Sequence, residues 1–215
     1  MDTGDDVHPE PHWPASLALL VCSGLYVLLP SRLVVGPKWL LPILVILPLI
    51  PLSARRDRRP DDAPWVRYLC ITLIAIITVA NCTSVVLLID RLFFSAHVVG
   101  RSLIYSAASI WCTNFIVFGL WLWEMDRGGP HRRAGPEKRF PDIQFPQMEN
   151  PTMAPSDWRP RFIDYLYTSF ANGTSFAPAD AMPLSIQAKS LFATVALVSF
   201  ITIAVIAGEA VNILR

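Results

Sequence analysis

Long apolar runs constrain this chain more than any other feature. They lie at about 13–30 ("WPASLALLVCSGLYVLLP"), 35–52, 66–89, 102–123 and 187–214. A helix needs roughly 20 apolar residues to cross about 30 Å of hydrocarbon. In lipid, only helices and closed barrels satisfy every backbone N–H and C=O. Runs of this length read as helices, so the expected fold is all-α and polytopic, with about five spans. Composition agrees. Hydrophobic residues make up 53% of the chain and charged ones 16%, with a mean hydropathy of +0.44. An ordinary soluble domain is more charged than this.

Four segments follow from this pattern. Residues 1–12 form an acidic tail without the basic start of a cleaved signal peptide. Residues 13–125 form a four-helix transmembrane region. Residues 126–160 form a basic linker rich in Pro and Gly, expected to be irregular and to lie on a membrane face. Residues 161–215 hold a short amphipathic helix, a polar turn and the final span. The second run contains Pro42, Pro48 and Pro51 and is expected to kink. The "WLWEMD" end of the fourth run is expected to meet the interface, where Trp is favoured.

Lys and Arg give an orientation. Arg55, Arg56, Arg58, Arg59 and Arg67 follow run two, and Arg127, Arg132, Arg133, Lys138 and Arg139 follow run four. The positive-inside rule puts both segments in the cytoplasm, and the N-terminus with them. Abundant Ala, Arg, Pro and Trp fit a bacterial plasma (inner) membrane. A formal charge of +1, with arginines only in short clusters, gives no nucleic-acid surface.

Polar residues within the runs are the candidate intramembrane sites. Ser102, Ser106, Ser109 and Thr113 fall on one helical face by their spacing. Such residues let helices approach closely, or line a polar path. Thr78, Asn81, Cys82 and Ser84 form a less regular patch. Glu209 lies near the end of the last run, with Ser199 and Thr202 on its face, and ionisable groups at this depth are functional candidates. Glu124, Asp126 and Asp90 end their runs and read as interfacial. The four cysteines lie in apolar runs and read as packing residues. The four histidines have no ligand spacing, so no metal or cofactor is expected. Without a nucleophile–base pattern, phosphate loop or dinucleotide fingerprint, the chain does not read as an enzyme.

The stretch "DYLYTSFANGTSFAPADAMPLSIQAK" (164–189) is the least usual. Asp164 to Asn172 reads as a short helix, and Gly173 as its stop with positive φ. Asp180 or Ser185 can cap the last helix, and Pro183 suits its start. Non-helical backbone at membrane depth survives only where protein or a water-filled cavity covers it. The stretch is therefore a re-entrant half-helix with a return, or a turn on the bilayer surface.

It resembles potassium-channel pore modules. Leu166, Tyr167, Ser169 and Phe170 match the pore helix. Thr174 and Ser175 match the paired threonines. Asp180, Pro183, Ser185, Ala188 and Lys189 match the exit and inner-helix start. More closely, the C-terminal third is similar to a family of uncharacterised bacterial inner-membrane proteins with degenerate pore-like segments. Where the channel has V-G-Y-G, this chain has Phe176, Ala177, Pro178 and Ala179. Two alanines around a proline resist the filter conformation. The resemblance implies a channel-like protein with Thr174 to Asp180 at its pore loop, a homo-oligomer in the bilayer, passing an ion or small solute. A non-conducting structural or partner-binding membrane subunit is the alternative. The loop enters from the cytoplasm, 162–182 crosses as a broken span, or the charge rule does not hold for this chain.

Overall fold

The computed structural model describes residues 10–11, 13–54, 64–94, 100–135, 139–175 and 180–213. Within them lie eight helices: α1 (Trp13–Leu28), α2 (Leu40–Ala54), α3 (Pro64–Phe94), α4 (Gly100–Met125), α5 (Pro130–Ala134), α6 (Pro146–Glu149), α7 (Phe162–Ser175) and α8 (Ile186–Ile213). A short antiparallel pair joins β1 (Ile143–Gln144) to β2 (Met182–Pro183), with Ile143 opposite Pro183. The fold is all-α, as the apolar runs require.

Among the described residues, three segments are long and apolar enough to cross a membrane: Trp65–Arg91, Ser102–Gly128 and Ile186–Val211. The two other apolar helices, Trp13–Leu28 and Leu40–Leu49, are shorter. The second apolar run begins later than its hydropathy suggests. Residues Ser31–Leu33 form a 3-10 turn and Gly36 takes φ +80°, so α2 starts only at Leu40. Pro30 and Pro37 bracket that turn, where a proline ring and its effect on the preceding residue disfavour helix. Pro48 and Pro51 lie within α2 and remove its N–H bonds to the carbonyls of residues 44 and 47. Large apolar side chains such as Leu47, Val79, Val86, Leu197 and Phe200 face outward, as lipid contact demands.

α4 is the central element. It packs against α1, α3, α7 and α8. Its C-terminal end meets the first turns of α3, where Arg67 Nε lies 3.5 Å from Glu124 Oε1. Glu10 is at the same end. Its carboxylate accepts from Trp123 Nε1 and from the Phe162 N–H, both at 2.7 Å. The end of the acidic lead is therefore anchored, while residues 1–9 and 12 lie outside the described set.

The linker is more ordered than its composition suggests. Ile143 and Phe145 are buried in the main core, and Phe145 stacks edge-on against Tyr165. Trp123 is also buried, edge-on to Phe162, rather than facing the interface. An apolar interior was available at this end of the bundle, and the aromatics filled it.

α7 runs antiparallel to α4 and parallel to α8. Phe162 meets Trp123, Leu166 meets Gly119, and Phe170 meets Phe115 and Trp111. At 14 residues it is about 21 Å long, too short to span. Asp164 starts it by accepting from the Arg161 N–H (2.7 Å), which satisfies an N-cap donor. The expected stop at Gly173 does not occur. The helix continues to Ser175, and Gly173 is not among the glycines with positive φ. Its role is close approach: a Cβ there would lie 2.8 Å from Ser199 Oγ. Gly119 does the same on α4, where a Cβ would meet Leu166 Cα at 3.0 Å.

Gly173→Ala is therefore expected to destabilise by overpacking, on the order of 1–3 kcal/mol. Ser199→Gly should recover part of that loss when combined with it. Thermal unfolding in detergent measures both, and additive losses would show that the two sites are not in contact.

Candidate functional site

Two polar centres sit on α7, one at each end. The first lies where α4 stops. Met125 ends the helix, Arg127 takes φ 53°, and Gly128 and Gly129 take φ +85° and +100°. This reversal directs the chain back over the bundle end. Asp126, fully buried, sits at its start. Its carboxylate accepts from Tyr165 Oη (2.6 Å) and from the Asp142 N–H (2.8 Å). Asp142 Oδ2 in turn accepts from the Arg127 N–H (2.9 Å). The Asp142 carbonyl accepts from the Leu184 N–H (2.8 Å) just beyond β2. One carboxylate thus joins α4 directly to α7 and the linker, and through Asp142 to the start of α8.

Arg133 covers this centre. Its guanidinium lies 5.0 Å from the Tyr165 ring centroid and 5.9 Å from that of Trp123. Its Nη1 donates to the carbonyls of Trp123 and Asp126. Burial pushes the Tyr165 phenol well above its usual range, so it stays a donor to Asp126.

The second centre lies about midway along α4 and α8. Asn114 Nδ2 donates to the Val195 carbonyl (3.2 Å) and to Ser199 Oγ (3.1 Å). Asn172 Nδ2 on α7 donates to the Phe192 carbonyl (2.7 Å). Thr168, Ser169, Asn172 and Ser199 are all buried. Asn114 Oδ1 and Ser169 Oγ are buried without a hydrogen-bond partner among the described residues. The polar face of α7 thus turns into the bundle, while Ile163, Tyr167 and Phe170 face outward.

The sequence-derived candidates divide around these centres. Ser106, Ser109 and Thr113 each donate to the carbonyl four residues earlier in α4, at 2.7, 2.9 and 2.9 Å. Ser102 is exposed and supplies the carbonyl for Ser106. Their hydroxyls serve α4 itself. Asn81 is buried on α3, and its neighbour Ser84 donates to the Leu33 carbonyl (2.8 Å). Glu209 is buried towards the far end of α8, away from both centres. Thr174 Oγ1 donates back to the Phe170 and Ala171 carbonyls (3.0 and 3.1 Å). Asp180 is exposed, and Ser185 is the cap of α8, accepting from the Ala188 N–H (3.1 Å). Ser175 ends α7, while Phe176, Ala177, Pro178 and Ala179 lie outside the described residues. No group of three or more His, Cys, Asp or Glu among the described residues could hold a metal.

Sequence reasoning singled out neither Asn114 nor the Tyr165–Asp126 bond. Asn114 was a readable signal, as an amide within "IWCTNFIVFG". The partner of Asp126 was not, because it lies 39 residues away. The chain matches no known protein family, no curated protein and no solved structure. The pore-module likeness therefore stands on the quoted residues alone.

Tyr165→Phe is expected to cost about 1–3 kcal/mol, because it leaves a buried acceptor short of a donor. A double-mutant cycle with Asp126→Asn should give a coupling of about 1 kcal/mol or more, and zero coupling would refute the bond. The raised phenol adds a pH effect. Stability from the neutral phenol is fully present below about pH 10, the unfolded value, and declines as pH rises beyond it. The wild type should therefore lose more stability than Tyr165→Phe above that pH.

Proposed function

We propose that this chain is a channel-like membrane protein in which α7 and the segment returning to β2 form a re-entrant hairpin. One observation carries the reading. α7 begins against Trp123, its last turns lie beside the middle of α8, and β2 pairs with β1 back at the starting end. A path that enters and returns to one end suits a pore-loop element. Half-helices ending near the midplane are a common setting for solute sites. The partnerless Asn114 Oδ1 and Ser169 Oγ supply polar capacity at that depth.

α1 and α2 would complete five crossings if the bilayer thins locally or the helices seat short, as shorter segments can. With the basic end in the cytoplasm, the hairpin enters from that side. That is opposite to a potassium channel. Together with Phe176–Ala179 in place of the filter glycines, it makes the pathway something other than a potassium filter. The permeant class is a small cation or polar solute, and the pathway lies between subunits of a homo-oligomer. A bacterial inner membrane suits the charge pattern.

A second reading, a non-conducting subunit that supports a partner, is favoured by a different observation. Asn172 is bonded to the α8 backbone, and the outward face of α7 is apolar. In that reading the hairpin is a structural wedge.

A cysteine at Ala177, in a chain lacking the native cysteines, separates these readings. Impermeant thiol reagent should label it from the cytoplasmic side, in inverted vesicles and not in intact cells. Labelling in intact cells would overturn the hairpin orientation. In proteoliposomes, cation or solute flux above protein-free vesicles should be blocked by the same reagent. No flux above background would leave the non-conducting subunit as the function.

A further inference from the structure

The basic end of the bundle contains a cleft that adjoins the first polar centre and opens away from it. Its volume is about 750 Å³. Arg67 of α3, Arg127 at the reversal, Arg132 of α5 and Arg139 of the linker all line it. The acidic residues in its wall are Glu124 and Asp142. Both are engaged. Glu124 pairs with Arg67, and Asp142 Oδ2 accepts the Arg127 N–H. Asp126, just behind the wall, lies 4.0 Å from Arg127 Nε, so four guanidiniums against three carboxylates leave a formal excess of one positive charge.

The donors are not used up. Arg67 Nε and Arg127 Nε are buried and make no hydrogen bond among the described residues, each facing a carboxylate only at ion-pair distance, 3.5 Å to Glu124 Oε1 and 4.0 Å to Asp126 Oδ2. A guanidinium N–H that is removed from water calls for an acceptor. Arg132 and Arg139 converge beside Gly128, where a Cβ would lie 2.9 Å from Arg132 Cδ and 3.5 Å from Arg139 Nη1. The first turns of α8, through Gln187 and Ser190, close the cleft. The positive end of the helix dipole adds to the potential there.

The other walls are apolar. Ile71, Trp121 and Leu191 lie where α3, α4 and α8 become spans, and the rim residues Phe140 and Ile186 are exposed. Cationic donors on one side and span-facing apolar side chains on the other match an amphipathic anion. Basic pockets between transmembrane helices favour acidic headgroups for this reason.

We propose that this cleft binds a phosphate-bearing anion, supplied by the headgroup of an anionic phospholipid of the surrounding leaflet. The phosphate oxygens take the arginine donors, and the acyl chains leave between α3 and α8. The proposal is independent of whether the hairpin conducts.

The test uses the full chain purified in mild detergent. Phosphatidylglycerol, phosphatidylcholine and inorganic phosphate are each titrated, with Trp fluorescence and the unfolding midpoint as readouts. Phosphatidylglycerol should saturate a signal and raise the midpoint, whereas phosphatidylcholine should not. Arg132→Gln should weaken the phosphatidylglycerol response roughly tenfold, the size of one lost charge-assisted hydrogen bond. Arg132 is exposed, so the variant should fold. Arg132→Lys should fall between the two. Equal responses to the two lipids would overturn the site. So would an undiminished response in Arg132→Gln. Saturation by inorganic phosphate at the same concentration would overturn the lipid as its source.

Discussion

A carboxylate removed from water must be held by donors, and the Asp126 carboxylate decides how this bundle closes. Left without donors there, its buried oxygens would carry their full desolvation cost. Tyr165 and the Asp142 N–H supply the donors. Because one belongs to α7 and the other to the linker, satisfying one group fixes both. The reversal at Arg127–Gly129 is the geometric counterpart. It needs positive φ at three successive residues, two of them glycines. Arg133 then lies over Tyr165 and takes up the carbonyls of Trp123, in the last turn of α4, and of Asp126, just beyond it. A helix end that would otherwise leave carbonyls bare is closed by the segment that follows it.

The half-length α7 depends on that closure at one end and on close packing along its length. Glycines at 119 and 173 bring its backbone against α4 and against Ser199 of α8. In lipid, association between helices gains little from hydrophobicity, so small residues and interhelical hydrogen bonds do the work. The bonds from Asn114 and Asn172 to α8 carbonyls are of this kind. A mid-depth seam results, polar within and apolar without.

Helix existence was legible because apolar runs near 20 residues have few other solutions. Boundaries were less so, since Gly36 and the prolines around it act on backbone angles that hydropathy does not register. Gly173 was read as a stop because glycine often ends helices, but the same missing Cβ also permits close approach, and only a partner can distinguish the two uses. The hydroxyl face of α4 was visible as spacing. Its hydroxyls bond within their own helix, an option that spacing cannot separate from a cross-helix bond. Pro and Gly made the linker's irregular backbone legible, but not the burial of Ile143 and Phe145 within it. Phe145 packs against Trp158 and against Tyr165 of α7, and Ile143 lies opposite Pro183 of β2, partners that no local signal names.

The anchoring of Glu10 has a consequence for biogenesis. Its two partners are Trp123 Nε1 and the Phe162 N–H, the second 152 residues further along the chain. At ribosomal speed that interval is roughly eight to thirty seconds. Through it the contacts of the early helices at that end of the bundle are unfinished. β2 and the start of α8 are made later still. That end of the bundle therefore stays open until α7 and β2 have been made, whatever the earlier helices do among themselves.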